Sequence, residues 1–353
     1  MASRRIINYR LIVLANISII WVVFAFLFLY NIILIDRKEL RGHSLIIFSL
    51  AFAIIGFIVS AALVFYLKNA FRHYPFWISV ILKMSLTFGL FLLIAFVMLA
   101  GYYAFGQPES LNDFAGIFYH QVFLSKAFMI FIFDLGIMTL LTIVILEVID
   151  KYGPGGFWGM MRGKYLTPRI ENRIFIFLDI NNATTIAEKL GHTKYFKLLR
   201  DFFAEITVPL LANGGEIYQY VGDEVVLSWK NTPLNKQRSF RFLRQTFFLL
   251  KRREATFMKR YGVAPTFKAG IHSGEVTAGV IGIVKKDLVY SGDTLNTTAR
   301  IRSKCHELEE PFVVSEDFLH DFSTPFAFKL HEIGEMELKG KIEKEKLYSL
   351  VFE

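Results

Sequence analysis

Two acids stand where acids are costly. Asp179 closes Arg173-Ile-Phe-Ile-Phe-Leu-Asp179, an otherwise nearly continuous apolar run. Asp223 follows Gly222 in the middle of Glu216–Trp229, between two runs rich in β-branched and aromatic residues. A Gly-Asp pair flanked in this way predicts a β-hairpin with the acid at its tip. A buried carboxylate without a counter-charge is expensive, so Asp179 should meet a cation. Two carboxylates on neighbouring strand ends suit a hard divalent cation bound to a nucleotide phosphate.

Other residues extend that chemistry. After Ile180 comes Asn181-Asn182-Ala183-Thr184-Thr185, with a helix expected from Thr184 or Thr185. Backbone N–H groups at such a start can cradle phosphate. Asn296 and Arg300 are four apart on a predicted helix and share a face. An amide beside a guanidinium suits a sugar oxygen and a phosphate, although such a pair is more commonly a solvated stripe. Glu337-Leu-Lys-Gly-Lys341 predicts a basic turn before a last strand, Lys346–Phe352.

The elements that must position these groups alternate. A buried strand over Arg173–Ile180 precedes helices at 192–211 and 234–261, the second basic and amphipathic. Phe267–Gly282 predicts a strand, a turn and a second strand, and its glycines at 270, 274, 279 and 282 together imply close backbone approach, with tight packing or a bulge as the alternative for each alone. Leu288–Arg300 predicts a strand, a turn at Gly292-Asp293 and a helix capped there. Strands interleaved with helices and hairpins predict an α+β domain with a mixed sheet over residues 171–353.

The first 150 residues are of a different kind. The chain of 353 residues is 54% hydrophobic, and the excess lies before residue 150. Apolar runs at 11–35, 44–67, 77–103 and 127–148 are each long enough for a transmembrane helix. Lys and Arg at the amino terminus, in the second loop and after the fourth run place both termini in the cytoplasm, although Arg37, Lys38 and Arg41 in the first loop dissent. The expectation is a multi-pass protein of the cell (inner) membrane. Lys83 and Asp134 within the runs are either a structural ion pair, with Lys83 snorkelling, or part of a sensor for an unknown ligand. Gly153-Pro154-Gly155-Gly156 is expected to end the fourth helix, leaving 151–170 as a linker or transducer. The single cysteine, Cys305, excludes an intramolecular disulfide. The net charge of +9 is scattered and meets no nucleic-acid motif, which points to anionic lipid and substrate rather than nucleic acid.

Taken together, Phe177-Leu-Asp-Ile180, Tyr220-Val-Gly-Asp-Glu224, Gly270-Ile-His-Ser-Gly-Glu275, Ala278-Gly-Val-Ile-Gly282, Gly292-Asp-Thr-Leu-Asn-Thr-Thr-Ala-Arg300 and Leu338-Lys-Gly-Lys341 resemble the catalytic domain of class III nucleotidyl cyclases. Six motifs in the family's order and spacing make a specific match over about 171–353. The resemblance implies a ferredoxin-like fold. It also implies two Mg²⁺ or Mn²⁺ ions held by Asp179, Ile180 and Asp223, one activating the ribose 3′-oxygen and the other binding triphosphate. Asn181, Asn182, Ala183 and Thr184 would border the phosphates, Asn296 would orient the ribose and Arg300 would stabilise the transferring phosphorus. Lys339, with Lys341 as the alternative, would hold the terminal phosphates. In the family these groups come from two subunits, which implies a head-to-tail homodimer with shared sites.

The base pocket departs from the family pattern. Adenine-selective members carry a Lys three residues before the hairpin glycine and an Asp or Thr three before the second glycine. Gln219 and Val289 stand there instead. A Gln amide can both donate to and accept from adenine's edge, or rotate to pair with guanine. ATP is favoured, with a guanine or other base preference as the alternative. A cyclase-like membrane receptor without activity is a further alternative, against which the retained Asp179, Asp223, Asn296 and Arg300 argue. A transporter with an appended domain has little support, since no internal repeat is visible.

Overall fold

A computed structural model describes residues 10–11, 13–26, 30, 50, 53–54, 56–67, 71, 74–106, 119, 124, 126–284, 286–320, 322, 328–337 and 344–352. The chain divides into two compact units between Trp158 and Gly159.

The first unit is helical. Helices α1 (Val13–Phe26) and α2 (Gly56–Leu67) are short and apolar; the last turn of α2, Leu63–Leu67, is π-helical. Helices α3 (Phe76–Gly106) and α4 (Lys126–Met161) follow. Windows at Phe76–Ile94 and Ile132–Ile149 make α3 and α4 long and apolar enough to cross a membrane. Four full-length spans were expected; the described residues contain these two, and residues 31–49 lie outside them. Val13, Ile17, Trp21, Val59, Leu63, Val80, Phe91, Leu135, Met138 and Ile143 form one core across all four helices. Gly56 permits the approach of α1, since a Cβ there would sit 2.9 Å from the Trp21 Cβ. The Trp21 indole N–H donates to Thr142 Oγ1 at 3.1 Å. Trp77, Ile81, Leu93, Phe133, Leu141 and Val144 point outward, as lipid-facing side chains would.

Lys83 is buried, and its Nζ lies 3.8 Å from Glu147 Oε1. One expectation for this unit is corrected: helix α4 continues through Gly153-Pro154-Gly155-Gly156 to Met161. An interior proline costs a hydrogen bond and a clash worth about 3 kcal/mol and each glycine about 1 kcal/mol, which kinks or weakens a helix without always ending it.

The second unit carries an eight-stranded mixed sheet in the order β2-β3-β1-β4-β6-β8-β7, with β5 added to β4. The strands are β1 (Arg169–Ile180), β2 (Glu216–Val221), β3 (Glu224–Lys230), β4 (Phe267–Ile281), β5 (Asp287–Ser291), β6 (Phe312–Ser315), β7 (Phe328–Met336) and β8 (Glu345–Phe352). The β4–β6 pair is parallel and the others are antiparallel. Helices α5 (Ala183–Leu190), α6 (His192–Ala212), α7 (Pro233–Tyr261), α8 (Asp293–Glu307) and α9 (Glu316–Leu319) complete it.

Alternate residues of β1 serve opposite faces. Ile174, Ile176, Leu178 and Ile180 join α6 and α7 in the main core, with Phe202, Leu210, Trp229, Phe242 and Phe312. Phe175 and Phe177 pack on the other side with Val226, Val276, Ala278 and Tyr290. Coverage on both faces explains the continuous apolar run. The strand–turn–strand expected over 267–282 is instead one strand of 15 residues. Gly270 and Gly274 show the close backbone approach expected of these glycines. A Cβ at Gly270 would collide with the Arg302 backbone nitrogen, and one at Gly274 would lie 2.7 Å from Thr294 Oγ1. Helix α8 therefore seats directly on the bare backbone of β4.

Candidate active site

The acids meet at one end of the sheet. Asp179 is the penultimate residue of β1, paired across to Glu224 of β3 and to Lys268 of β4. Asp223 occupies the β2–β3 turn with Gly222, whose φ of 65° is the left-handed value such a turn needs. Burial raises the Asp179 carboxyl to about 6, and the neighbouring Asp223 carboxyl adds to this by charge and hydrogen bonding. Two carboxyls in contact repel when both are ionised, which is the condition a divalent cation relieves. The pair therefore fits a metal-binding role on its own chemistry.

Sequence reasoning missed the cation that faces these acids. Arg302 Nη1 lies 3.4 Å from Asp179 Oδ2, and its Nε lies 2.7 Å from Glu224 Oε2. Glu224 is buried; desolvation raises its carboxyl and Arg302 opposes that rise. An acid opening the mostly apolar Val225–Trp229 run was the available signal. Tyr195 was also missed. Burial, with the charges of Asp223 and Asp179, pushes the hydroxyl of this α6 residue up to about 12.

The predicted phosphate turn lies next to them. Ile180 is buried in the main core. Asn181 is held by two bonds, its backbone N–H donating to the Thr266 carbonyl and its Nδ2 to Thr266 Oγ1, both at 2.9 Å. Asn182 adopts a left-handed φ of 54° and leaves the start of α5 without a side-chain cap. The first N–H groups of that helix, at Ala183 and Thr184, are thus left to an outside acceptor. The helix begins at Ala183, one residue before the expected start.

Asn296 and Arg300 lie on α8 as predicted, Asn296 exposed and Arg300 half-buried. Arg300 Nη1 is shielded from solvent and has no hydrogen-bond partner among the described residues. Gln219 is exposed on β2, at a register shift beside Ile217. Val289 is half-buried on β5 opposite Gly279. A bond ties these two strands together, because the Tyr290 backbone N–H donates to the Tyr218 hydroxyl at 3.1 Å. Beneath it, the almost fully buried Arg173 donates to the Tyr290 hydroxyl and pairs with Glu216 at 2.7 Å. Lys339 and Lys341 lie outside the described residues.

The second unit has known relatives. A family model described as the adenylate and guanylate cyclase catalytic domain matches residues 167–351, more than half of the chain. Adenylate cyclase 2 of Rhizobium meliloti (strain 1021) is 34% identical over 212 residues, covering 59% of this chain and 58% of that protein. The membrane guanylyl cyclase of Dictyostelium discoideum is 22% identical over 200 residues, covering 55% of this chain and 13% of that protein. The chain thus spans just over half of one relative and a small part of the other. A solved bacterial light-regulated adenylyl cyclase shares the fold, with a TM-score of 0.52, 22% identity and coverage of 61% of this chain and 64% of that one. With the family's domain matched from before the first strand to the last, the chain belongs to the adenylate and guanylate cyclases.

Proposed function

We propose that the protein is a membrane-bound adenylyl cyclase that converts ATP to 3′,5′-cyclic AMP and pyrophosphate at sites shared between two protomers. The observation that carries this reading is the division of groups within one chain. The Asp179 and Asp223 carboxyls are neighbours that raise the Asp179 pKa, and among the described residues the guanidinium paired with Asp179 is Arg302. Arg300 meanwhile keeps a shielded nitrogen without a hydrogen-bond partner. Such a group is suited to a phosphate bound against a second copy.

Asp179 and Asp223 would hold two Mg²⁺ or Mn²⁺ ions, with Ile180 beside them. When bound, the ions supply charge neutralisation for the triphosphate and a lower pKa for the attacking hydroxyl. The start of α5, at Asn182, Ala183 and Thr184, would receive phosphate oxygens. Asn296 of the second copy would orient the ribose, Arg300 would stabilise charge at the transferring phosphorus, and Lys339 would hold the terminal phosphates. Gln219 and Val289 would border the base, with Gln219 reading adenine's edge. The helical unit would anchor the enzyme through four spans, with both termini and the catalytic domain on the cytoplasmic side. Helices α1 and α2 share a core with the two long apolar helices, which supports that assignment.

The test uses full-length protein, Mn²⁺ and each of the four ribonucleoside triphosphates, with products separated by chromatography. Cyclic AMP from ATP, lost in Asp179→Ala, is expected. No cyclic product from any substrate, or equal product from the variant, would end the enzyme reading. Preferential cyclic GMP would overturn the base assignment alone.

A further inference from the structure

Away from the acid pair, a second group of ligand-type side chains converges on the sheet. His272 of β4, Asp317 of α9 and Glu345 of β8 each bring one donor atom within 4.8 Å of the other two. They come from three elements and are far apart in sequence, so tertiary structure alone assembles them. The parallel register that sets Ile271 opposite Val314 brings Ser315 and α9 alongside His272. The antiparallel pairing of Ser315 with Leu347 brings the start of β8 to the same place. His272 and Glu345 are buried and Asp317 is exposed, so the cluster is walled on the protein side and open toward water.

We propose that His272, Asp317 and Glu345 form a site for a divalent transition ion, zinc in the first instance, separate from the Asp179–Asp223 pair. One imidazole and two carboxylates are a mixed nitrogen and oxygen donor set that zinc accepts, and three protein ligands leave a fourth position open. The His272 ring is held as metal-ligating histidines are held: its Nδ1 is 2.7 Å from Ser315 Oγ, a neighbour that fixes ring orientation. Zinc–ligand bonds of about 2.0–2.2 Å place tetrahedral ligands about 3.4 Å apart, so a movement of about 1.5 Å closes the cluster. The exposed Asp317 can supply that movement. Asp179 pairs with Lys268 and Phe175 with His272, so the cluster sits four residues along β4 from the acid pair. Glu345 is the first residue of β8, immediately after the stretch that contains Lys339. An ion there would anchor the foot of that stretch to β4 and α9.

The test loads the full-length chain with ZnCl₂ after chelator treatment, in an Asp179→Asn, Asp223→Asn background that removes the other carboxylate pair. Zinc retained at one ion per chain is measured by elemental analysis, and affinity by titration. CoCl₂ in place of zinc reports ligation through its visible absorption. The expected result is retained zinc in that background and affinity at least tenfold weaker in Asp317→Asn and in His272→Gln. Asp317→Asn changes an exposed side chain and is the variant of choice if His272→Gln does not fold. Absence of bound zinc in the background chain, or unchanged affinity in Asp317→Asn, would overturn the site. In either case the cluster would be a histidinium held by two carboxylates.

Discussion

Arg302 Nε lies 2.7 Å from Glu224 Oε2, and this pair locks helix α8 to the strand that opposes Asp179. Glu224 is buried, and removing its partner strands a carboxylate in the sheet. Arg302→Ala is therefore expected to lower stability by about 2 kcal/mol, below the usual 3–5 kcal/mol because Arg302 is partly exposed. Glu224→Gln should cost less, since it leaves no buried charge without a counter-charge. Denaturant titration of the full-length protein measures both. Equal midpoints for Arg302→Ala and wild type would mean the pair does not couple helix to strand.

The raised Asp179 carboxyl gives metal-free stability a definite slope with pH. Its folded value of about 6 exceeds the ordinary 3.8, so the folded chain holds a proton between those limits that the unfolded chain has released. This group's contribution to stability therefore falls as pH rises from about 4 to about 6. In chelator at pH 7, Asp179→Asn is expected to be more stable than wild type by about 1–2 kcal/mol, after allowance for solvent screening. Adding Mn²⁺ should reverse the order. A flat wild-type profile across that window would contradict the assignment.

Gly270 lets α8 rest on β4, because any Cβ would meet the Arg302 backbone. Gly270→Ala is expected to cost about 2–3 kcal/mol through overpacking and to displace Arg302 from Asp179. Thermal melting and cyclic-nucleotide production should fall together. A variant with unchanged melting would show that the helix has room to shift.

Sharing of the site between copies predicts complementation. Asp179→Ala and Arg300→Ala should each be inactive. Co-expressed, they should recover about a quarter of wild-type activity, since half the dimers are mixed and each mixed dimer has one intact site. No recovery, with both variants folded, would place all the groups within one protomer.

Base choice is tested at the two departures from the family pattern. Gln219→Lys with Val289→Thr should retain or sharpen use of ATP over GTP, read as the ratio of kcat/KM values. A switch toward GTP would show that the pocket reads the base in another way.

Local chemistry carried much of this architecture. The Gly222-Asp223 turn, the two-sided apolar run of β1 and the start of α8 after Gly292 follow from turn residues and hydrophobic period, which act over a few positions, although that start lacks the expected side-chain cap. The same rules put a turn inside Phe267–Gly282 and a break at Gly153–Gly156, where the structure has neither. Close backbone approach was legible in the glycines, and Gly270 and Gly274 provide it, but that a helix is what approaches is not written in the strand.

By itself the sequence determined the two kinds of domain, the acids at two strand ends and the amide and guanidinium four apart on one helix. Only the tertiary structure decided which charges meet. Arg302 faces Asp179 and Glu224, Glu147 faces Lys83, and His272 joins Asp317 and Glu345. The reason is physical: period and turn chemistry are set by neighbours along the chain, whereas ion partners are set by strand register and helix docking between residues far apart in it.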